Sequence, residues 1–361
     1  MKVALIGANG HGSWHRRNIS GNSRVDFVGM ADLQPVAEPE APVFTDHRTL
    51  LSSTRPDVVV ICTPPHTHLP IALDALAYGC DLLLEKPPVL SRAEHDTLTA
   101  ALTAAGRVCQ VGFQALGSAA WSRFRDALPT PLTGIGAVAS WRRDDTYYAR
   151  ASWAGRRGVD GALVNPLAHA VMQALATGTA AGAGRPRELA VERYRTRDIE
   201  VDDTAFARIT FDSGLQLLVA VTLAGEDFIA GEIEARGRGG RALLEYPTDR
   251  LALPGAVSLT ETPGRVDLLL NLLDHRADGT PLLVPLSATA DFTTVLEALA
   301  GAPLPQLLDG DTVAVDGPHR TIPGINEVLV KAAATLSLPS ELGLGWAVRP
   351  YRRRLLLLDH R

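Results

Sequence analysis

The first segment whose residue types could bind a ligand is Gly7-Ala8-Asn9-Gly10-His11-Gly12, which follows a predicted strand and precedes a predicted helix. A pyrophosphate site needs this order, because a tight turn lets the backbone approach the phosphates and the helix N–H groups face them. The usual G-x-G-x-x-G pattern maps onto Gly7, Asn9 and Gly12. Asn9 is a tolerable replacement for the middle glycine, because asparagine reaches left-handed backbone conformations readily, and Gly10 adds freedom beside it.

A carboxylate stands where a dinucleotide site requires one. Asp32 lies twenty residues after Gly12, at the end of the second predicted strand. There it can accept hydrogen bonds from both ribose hydroxyls. No cation follows in Leu33-Gln34-Pro35-Val36 to hold a 2′-phosphate, so we predict NAD as the cofactor rather than NADP. The alternative is a glycine turn that only joins strand to helix, with Asp32 on the surface.

Two further segments follow predicted strands. Thr63-Pro64-Pro65-His66-Thr67-His68 comes after one buried strand, and Glu85-Lys86-Pro87 ends the next. Both belong to the carboxyl edge of a parallel sheet, where such folds bind ligands. His66 and His68 lack a nearby Cys or carboxylate, so we predict no metal site and expect them to line or cap the cofactor cleft. The alternative for Glu85 and Lys86 is a solvated ion pair.

These segments are positioned by strands and helices that alternate as in βαβ units. The predicted strands are 2–7, 25–32, 57–62, 81–86 and 107–113, and the predicted helices are 13–19, 67–78 and 91–105. After about residue 117, strand-like runs follow one another with glycine turns, which favours antiparallel pairing. We predict an α/β protein: a Rossmann domain with a doubly wound parallel sheet over 1–118, then an α+β domain with an open, mainly antiparallel sheet over 119–361, whose C-terminal helix can pack back on the first domain.

Composition narrows the class of protein further. The chain has 361 residues, 46% of them hydrophobic and 21% charged, which excludes disorder as its main character. The net charge of −5 argues against a nucleic-acid partner, since such proteins are basic. No apolar run reaches the eighteen residues or so of a membrane span, and no targeting segment is evident. Cys62, Cys80 and Cys109 fit reduced, buried thiols, so we predict a cytoplasmic protein.

The ordered set formed by the glycine loop, His15, Asp32, Thr63-Pro64 and Glu85-Lys86-Pro87 resembles the Gfo/Idh/MocA family of oxidoreductases. The resemblance covers about the first 115 residues well and the remainder in outline. It implies that Lys86 lies beside the nicotinamide and the substrate. A lysine pKa of about 10.4 is lowered by burial and by the positive nicotinamide ring, so Lys86 can take a proton from an alcohol. Glu85 would orient or pair with Lys86, and the Lys86–Pro87 bond is a candidate cis peptide.

The resemblance continues in the segment 161–169, where the family has an Asp and, four residues later, a His. His169 is kept, whereas Asn165 replaces the Asp. The spacing puts both side chains on one helical face. His169 would then share the proton transfer with Lys86, and Asn165 would hydrogen-bond a substrate hydroxyl. The alternatives are a helix N-cap for Asn165, which precedes a proline, and a buried structural histidine for His169.

Arginines and aromatic residues crowd the stretch after the predicted strand 135–141, a region that approaches the substrate in the family. Its members include Arg142, Arg143, Tyr147, Tyr148, Arg150, Trp153, Arg156 and Arg157. We predict substrate contacts from Arg142, Tyr147, Trp153 and Arg156, and hypothesise an anionic sugar substrate. The alternative is a solvated basic loop. Asp202 and Asp203, which precede a predicted strand, are expected on the surface.

These observations lead to one predicted activity. The chain is expected to transfer hydride between NAD and a secondary alcohol or ketone of a sugar, sugar derivative or cyclitol, with Lys86 as general acid and base. The expected substrate is a small carbohydrate-type molecule, and the resemblance implies a homodimer or homotetramer formed through the second sheet. Two alternatives stay open: an NAD-dependent glycosidase with transient redox, and a non-catalytic NAD-binding regulator, which Asn165 would permit.

Overall fold

The computed structural model describes residues 1–355, which divide into two units. The first unit comprises Met1–Gln114 and Val266–Thr293, and the second comprises Ala115–Arg265 and the chain from Thr294 onward. The first boundary lies close to the predicted one. The division differs from the prediction in the segment Val266–Thr293, which the sequence placed in the second domain.

Eighteen strands and ten α-helices occur within residues 1–355. The strands are β1 (Lys2–Ile6), β2 (Asp26–Ala31), β3 (Val43–Phe44), β4 (Val58–Ile61), β5 (Asp81–Leu84), β6 (Cys109–Val111), β7 (Leu132–Arg142), β8 (Pro186–Arg195), β9 (Thr204–Phe211), β10 (Gln216–Thr222), β11 (Ala224–Gly237), β12 (Gly240–Glu245), β13 (Arg250–Ala252), β14 (Thr260–Glu261), β15 (Gln306–Leu307), β16 (Ala314–Asp316), β17 (His319–Thr321) and β18 (Tyr351–Arg354). The helices are α1 (Gly12–Ser20), α2 (His47–Thr54), α3 (His68–Ala77), α4 (Arg92–Ala105), α5 (Ala119–Asp126), α6 (Asp145–Ala149), α7 (Ala168–Ala180), α8 (Leu268–Asp278), α9 (Ala290–Ala300) and α10 (Ile325–Thr335). Within these residues, every helix is too short or too polar to cross a membrane.

The first unit contains a six-stranded, fully parallel sheet in the order β3-β2-β1-β4-β5-β6. All four residues of β4 are buried, as expected for a central strand that helices cover on both faces. The strand order reverses between β1 and β4, and ligands of such sheets bind outside the carboxyl ends of the strands at this point. This sheet confirms the predicted doubly wound fold.

The segment Val266–Thr293 joins the first unit through a buried glutamine. The Gln110 amide, fully buried on β6, donates to Asn271 Oδ1 over 2.6 Å and accepts from the Val284 backbone N–H over 2.9 Å. The Val111 N–H also donates to the Val284 carbonyl. These bonds link residues far apart along the chain, so local periodicity could not reveal them.

The three cysteines are free thiols in low-dielectric surroundings. Burial raises the pKa of Cys80 to about 11 and the pKa values of Cys62 and Cys109 further still. At pH 8 only about one Cys80 in a thousand is the reactive thiolate. We therefore expect no rapid reaction of the native protein with Ellman's reagent, and three thiols per chain once the protein is denatured. A thiol that reacts within seconds in the native state would contradict this prediction.

The second unit is built on a ten-stranded sheet whose main path runs β14-β13-β12-β11-β7-β10-β9-β8-β15, with β18 also paired to β8. Most pairs are antiparallel, as predicted, whereas β7 and β10 pair in parallel, as do β8 and β15. The sheet has free edges and does not close into a barrel. The predicted fold class is therefore confirmed for this unit as well.

Helices of the same chain cover both faces of this sheet. On one face, α7 approaches so closely that a Cβ on Gly178 would lie 2.3 Å from the Phe211 ring. On the other face, a Cβ on Gly136 of β7 would lie 2.9 Å from the Ala333 carbonyl of α10. Leu329 and other apolar residues of α10 form a buried cluster with that second face. The central strands of the sheet therefore have a helix of the same chain on each face, and the predicted subunit contact stays a prediction.

Candidate active site

The glycine loop after β1 has no room for side chains at two of its positions. Gly7 has a φ of +88°, and a Cβ there would lie 2.3 Å from the carbonyl oxygen of Cys62. A Cβ on Gly12 would lie 1.9 Å from the Gly7 carbonyl oxygen. Gly10 takes the left-handed conformation at φ +57°, whereas Asn9 does not. The expected role of Asn9 as the left-handed residue is thus filled by Gly10, which can adopt that conformation without strain.

Asp32 fastens this loop to the end of β2. Its Oδ2 accepts hydrogen bonds from the backbone N–H groups of Ala8 and Asn9, over 2.8 and 3.0 Å. Its Oδ1 accepts from the Gln34 N–H over 2.9 Å. The carboxylate therefore holds the loop in shape and marks the end of β2 with a negative charge, which disfavours a phosphate at the same place.

A buried carboxylate joins the loop region to the end of β5. Glu85 accepts a hydrogen bond from His15 Nε2 over 2.9 Å, and His11 Nε2 lies 3.5 Å from the same oxygen. Burial alone would raise the pKa of Glu85, but the hydrogen bonds and charges of His11 and His15 hold it well below its usual range. Gly112 leaves room for the carboxylate, since a Cβ there would lie 2.9 Å from it. Glu85 is therefore an anion that anchors the site.

Glu85 and the two histidines form a compact cluster. His11, His15 and Glu85 are the three residues, within 1–355, whose donor atoms lie within 4.8 Å of one another as a metal site would require. The His15–Glu85 hydrogen bond and the His11–Glu85 ion pair hold them together, and the Glu85 oxygens also accept from the Lys86 N–H and from Gln114 Nε2. Glu85 thus bonds to the side chain of His15 and to the backbone of Lys86, the residue that it was expected to orient or pair with.

Lys86 is the second residue after β5 and is half-buried. The Lys86–Pro87 peptide bond is cis, as predicted. Because β5 lies next to β4, and β4 next to β1, the Lys86 backbone is two strands from the glycine loop at the same edge of the sheet. With a strand spacing of about 4.8 Å, this places Lys86 about 10 Å from the loop along the sheet edge.

The turn after β4 is fastened to the turn after β5 by His68. The His68 ring is buried, with Nε2 2.9 Å from the Thr63 carbonyl and Nδ1 2.9 Å from the Pro87 carbonyl. Burial lowers the pKa of His68, so the ring is neutral at pH 7 and donates to one carbonyl at a time. Thr67 Oγ1 contacts Thr63 Oγ1 and the Pro64 carbonyl, each over 2.7 Å. His68 thus acts on the cleft through the backbone it holds, while His66 is exposed.

In the second unit, Asn165 and His169 do not share one regular helix. Helix α7 begins at Ala168 after Leu167, so Asn165 precedes it and does not cap it. The Asn165 amide donates to Oδ1 of the buried Asp160 over 3.0 Å. His169 lies in the first turn of α7, half-buried, and its ring stacks with the Tyr246 ring at 6.4 Å between centroids.

The aromatic residues predicted to contact substrate enclose an arginine of their own segment. The Arg150 guanidinium lies 3.7 Å from the centre of the Tyr147 ring and 4.7 Å from the centre of the Trp153 ring. It also pairs with Asp160 over 3.4 Å. Cation–π contacts of this kind stabilise the loop internally.

The remaining arginines of this segment have mixed surroundings. Arg156 pairs with Glu200 over 2.7 Å, and Arg157 donates to the Ala300 and Ala302 carbonyls. Arg142 is exposed at the end of β7. Glu200 and Asp160 therefore balance the charges of Arg156 and Arg150, two of the five arginines that suggested an anionic substrate.

Two acidic residues expected on the surface are buried, which corrects that expectation. Asp202 is 3% exposed and Asp203 is fully buried, and burial raises the pKa of both. Asp203 Oδ2 accepts hydrogen bonds from the Thr196 N–H and hydroxyl over 2.7 and 2.6 Å. A pair of aspartates before a strand usually signals a turn, and only the fold reveals the donors that make their burial possible.

A family model for oxidoreductases with an NAD-binding Rossmann fold, Gfo/Idh/MocA, matches residues 1–113. Residues 1–113 are therefore similar to the NAD-binding domain of Gfo/Idh/MocA oxidoreductases. Inositol 2-dehydrogenase 4 of Saccharopolyspora erythraea is 36% identical over 123 residues, 31% of this chain and 36% of that protein. D-glucoside 3-dehydrogenase of Escherichia coli is 33% identical over 99 residues, 25% of this chain and 28% of that protein. The match thus spans about a third of the length of these curated relatives.

The fold similarity extends further than the sequence similarity. The WlbA dehydrogenase of Bordetella pertussis, solved with NADH and UDP-GlcNAcA, superimposes with a TM-score of 0.71. The superposition covers 86% of this chain and 99% of that chain at 19% sequence identity. This likeness shows that the fold of this chain is shared with that dehydrogenase beyond the region that the family model matches.

Proposed function

We propose that this protein is an NAD-dependent oxidoreductase acting on a secondary alcohol or ketone of a sugar, sugar derivative or cyclitol. The observation that carries the proposal is the position of Lys86. It follows β5 at the carboxyl edge of the Rossmann sheet, two strands from the glycine loop. An amine at this edge is suited to exchange a proton with a substrate held against a dinucleotide.

The chain offers a fitting cradle for the cofactor. Gly7 and Gly12 have no room for a side chain, so only backbone atoms line the space at the start of α1 in which a pyrophosphate would lie. We assign NAD binding to this loop, including Asn9, Gly10 and His11, and to Asp32 for the ribose hydroxyls. The turn at Thr63 and Pro64 and the Glu85 carboxylate would complete the cleft. His68 would hold this turn in place through its contact with the Thr63 carbonyl.

Lys86 then performs the proton step. NAD, when bound at the glycine loop, would supply the hydride acceptor for the carbinol carbon of the substrate. As the C–H electron pair leaves, the Lys86 amine takes the hydroxyl proton, and the carbon–oxygen bond becomes a carbonyl. In reverse, the Lys86 ammonium returns the proton to the forming alkoxide. Glu85, fixed by His15, orients the backbone of Lys86 throughout.

The relatives direct the choice of substrates for the test. Their names refer to inositol and D-glucoside. We expect NADH to form, by absorbance, when the protein is mixed with NAD and at least one member of a panel of cyclitols, monosaccharides and glycosides. Release of an aglycone without stoichiometric NADH would instead support the glycosidase alternative. NAD binding without turnover of any member would support a regulator.

A substitution at Asp32 tests the cofactor preference. We expect wild-type protein to bind NAD at least about 100-fold more tightly than NADP, because the carboxylate repels a 2′-phosphate. Asp32→Ser should lower this preference about tenfold or more by relieving the repulsion. Titration of protein fluorescence with NADH and NADPH measures both. Because Asp32 also holds the loop, some loss of NADH affinity is expected, and an unchanged ratio would contradict the assignment.

Several finer expectations stay predictions. They include a cytoplasmic location, assistance by His169 and Asn165, substrate contacts from Arg142, Tyr147, Trp153 and Arg156, and a homodimer or homotetramer. Because α7 and α10 pack on the central strands of the second sheet, a subunit contact on this sheet would have to use its outer strands.

A further inference from the structure

Two histidines at the start of α1 and a buried carboxylate converge on one point within the first unit. His15 Nε2 lies 2.9 Å, and His11 Nε2 lies 3.5 Å, from the same oxygen, Oε1 of Glu85. One donor atom of each residue lies within 4.8 Å of the other two. The absence of a metal site was predicted from His66 and His68, which belong to no such cluster within residues 1–355.

The spacing of the two histidines is that of a metal-binding pair on a helix. His11 directly precedes α1, and its φ of −65° and ψ of −27° are helical values. His11 and His15 are therefore about one turn apart on the same face. Metalloproteases hold zinc with two histidines at this spacing.

Trp14 keeps both imidazole rings in place. Its ring stacks with the His11 ring at 5.9 Å between centroids and meets the His15 ring edge-on at 4.9 Å. The carboxylate is held from its other side, since Glu85 Oε2 accepts a hydrogen bond from the Lys86 N–H over 3.2 Å. Contacts of this kind orient the ligands of a metal before the ion binds.

The separations within the cluster match those between two ligands of one ion. Zn²⁺ bonds to imidazole nitrogen at about 2.0–2.1 Å and to carboxylate oxygen at about 2.0–2.2 Å, so two ligands of a tetrahedral ion are about 3.3 Å apart. The distances of 2.9 and 3.5 Å from Glu85 Oε1 to the two histidines lie on either side of this value. Small side-chain rotations would therefore admit the ion.

The cluster is also accessible and suitably charged. The His11 side chain is 57% exposed, whereas those of His15 and Glu85 are 2% and 7% exposed, so an ion can enter from the side of His11. The negative charge of Glu85 offsets the positive end of the α1 dipole, which would otherwise disfavour a cation. Two nitrogens and one oxygen favour zinc, cobalt, nickel or copper over magnesium and calcium, which prefer oxygen ligands.

We propose that His11, His15 and Glu85 bind one divalent transition-metal ion of the zinc type. Three protein ligands leave the fourth tetrahedral position open to water or another small ligand. Such a site is independent of the proposed function. When Nε2 of His15 binds the ion, Nδ1 carries the ring proton, and Nδ1 is buried without an acceptor among residues 1–355. Because of this cost we expect a dissociation constant of about 1–100 μM.

Calorimetric titration with zinc chloride at pH 7.5 tests the site in the full-length, tag-free protein without added NAD. We expect one zinc ion per chain. His11→Ala should weaken binding at least about 30-fold, because even a hydrogen-bond partner of a metal ligand contributes about 10–100-fold to metal affinity. His66→Ala is the matched control. It removes an exposed imidazole of the same unit and should bind zinc as tightly as the wild-type protein.

Visible absorption of bound Co²⁺ provides a second readout, because cobalt absorbs much more strongly in a tetrahedral protein site than in water. We expect this absorption from the wild-type protein and His66→Ala, and its loss from His11→Ala. Glu85→Gln, which keeps the shape of the side chain and removes its charge, should lose it as well. The proposal is overturned if the wild-type protein shows no saturable zinc binding, if His11→Ala binds as tightly, or if His66→Ala abolishes binding.

Discussion

Lys86→Ala is expected to lower kcat at least about 100-fold while the protein still folds and binds NADH. The reason is that removing a general acid and base typically costs two to four orders of magnitude in rate. The amine is not part of the glycine cradle, so the dissociation constant for NADH should change by less than about threefold, which is below 1 kcal/mol. Steady-state NADH formation and fluorescence titration measure the two quantities.

The sequence supplies a matched control for this substitution. It contains only three lysines, and Lys331 is exposed on α10 in the second unit. Lys331→Ala removes the same charge and should leave kcat unchanged. Undiminished turnover of Lys86→Ala would remove this residue from the mechanism, and an equal loss in both variants would show that a general charge effect is responsible.

Gly12→Ala is expected to abolish useful cofactor binding. The added Cβ would lie 1.9 Å from the Gly7 carbonyl oxygen, so the start of α1 must move away from β1. Overpacking against backbone costs about 3 kcal/mol, and a comparable loss of cofactor contact raises the dissociation constant for NADH about 100-fold. Chemical denaturation measures the free energy of unfolding, and fluorescence titration measures the affinity.

Gly10→Ala is the control within the same loop. Gly10 has a φ of +57°, and nothing lies within 4 Å of the position of its missing Cβ. The only cost is the left-handed backbone, about 1 kcal/mol, so binding of NADH should weaken about fivefold at most. If Gly10→Ala proves as damaging as Gly12→Ala, the close approach of α1 to β1 is not what the loop requires.

Much of the first unit could be predicted because its signals are local. Short apolar runs between helical patterns located β1, β2, β4, β5 and β6 to within a few residues. Ser91 caps α4 by accepting a hydrogen bond from the Glu94 N–H, as the capping pattern indicated. The short helix α2 was missed, because its eight residues, His47–Thr54, are mostly polar and carry little periodicity. The second unit was predicted only in outline, since β8 and β12 to β18 are short or are stabilised by distant partners.

The site was predicted in its residue types and less well in its contacts. The motif identified Glu85, Lys86 and the cis bond after Lys86, whereas the hydrogen bond of Glu85 to His15 had no signal in the sequence. His68 was expected to line or cap the cleft, and the structure adds its hydrogen bonds to the turns after β4 and β5.

The amino-acid sequence alone determined the parallel sheet, the glycine loop with its carboxylate, and the lysine at the strand end. Each of these depends on neighbours along the chain, through backbone conformation and periodicity. Tertiary structure decided that Val266–Thr293 completes the first unit, that α10 covers the second face of the large sheet, and that His11 and His15 meet Glu85. These features depend on residues brought together from far apart, and no spacing within the sequence records which polar groups meet there.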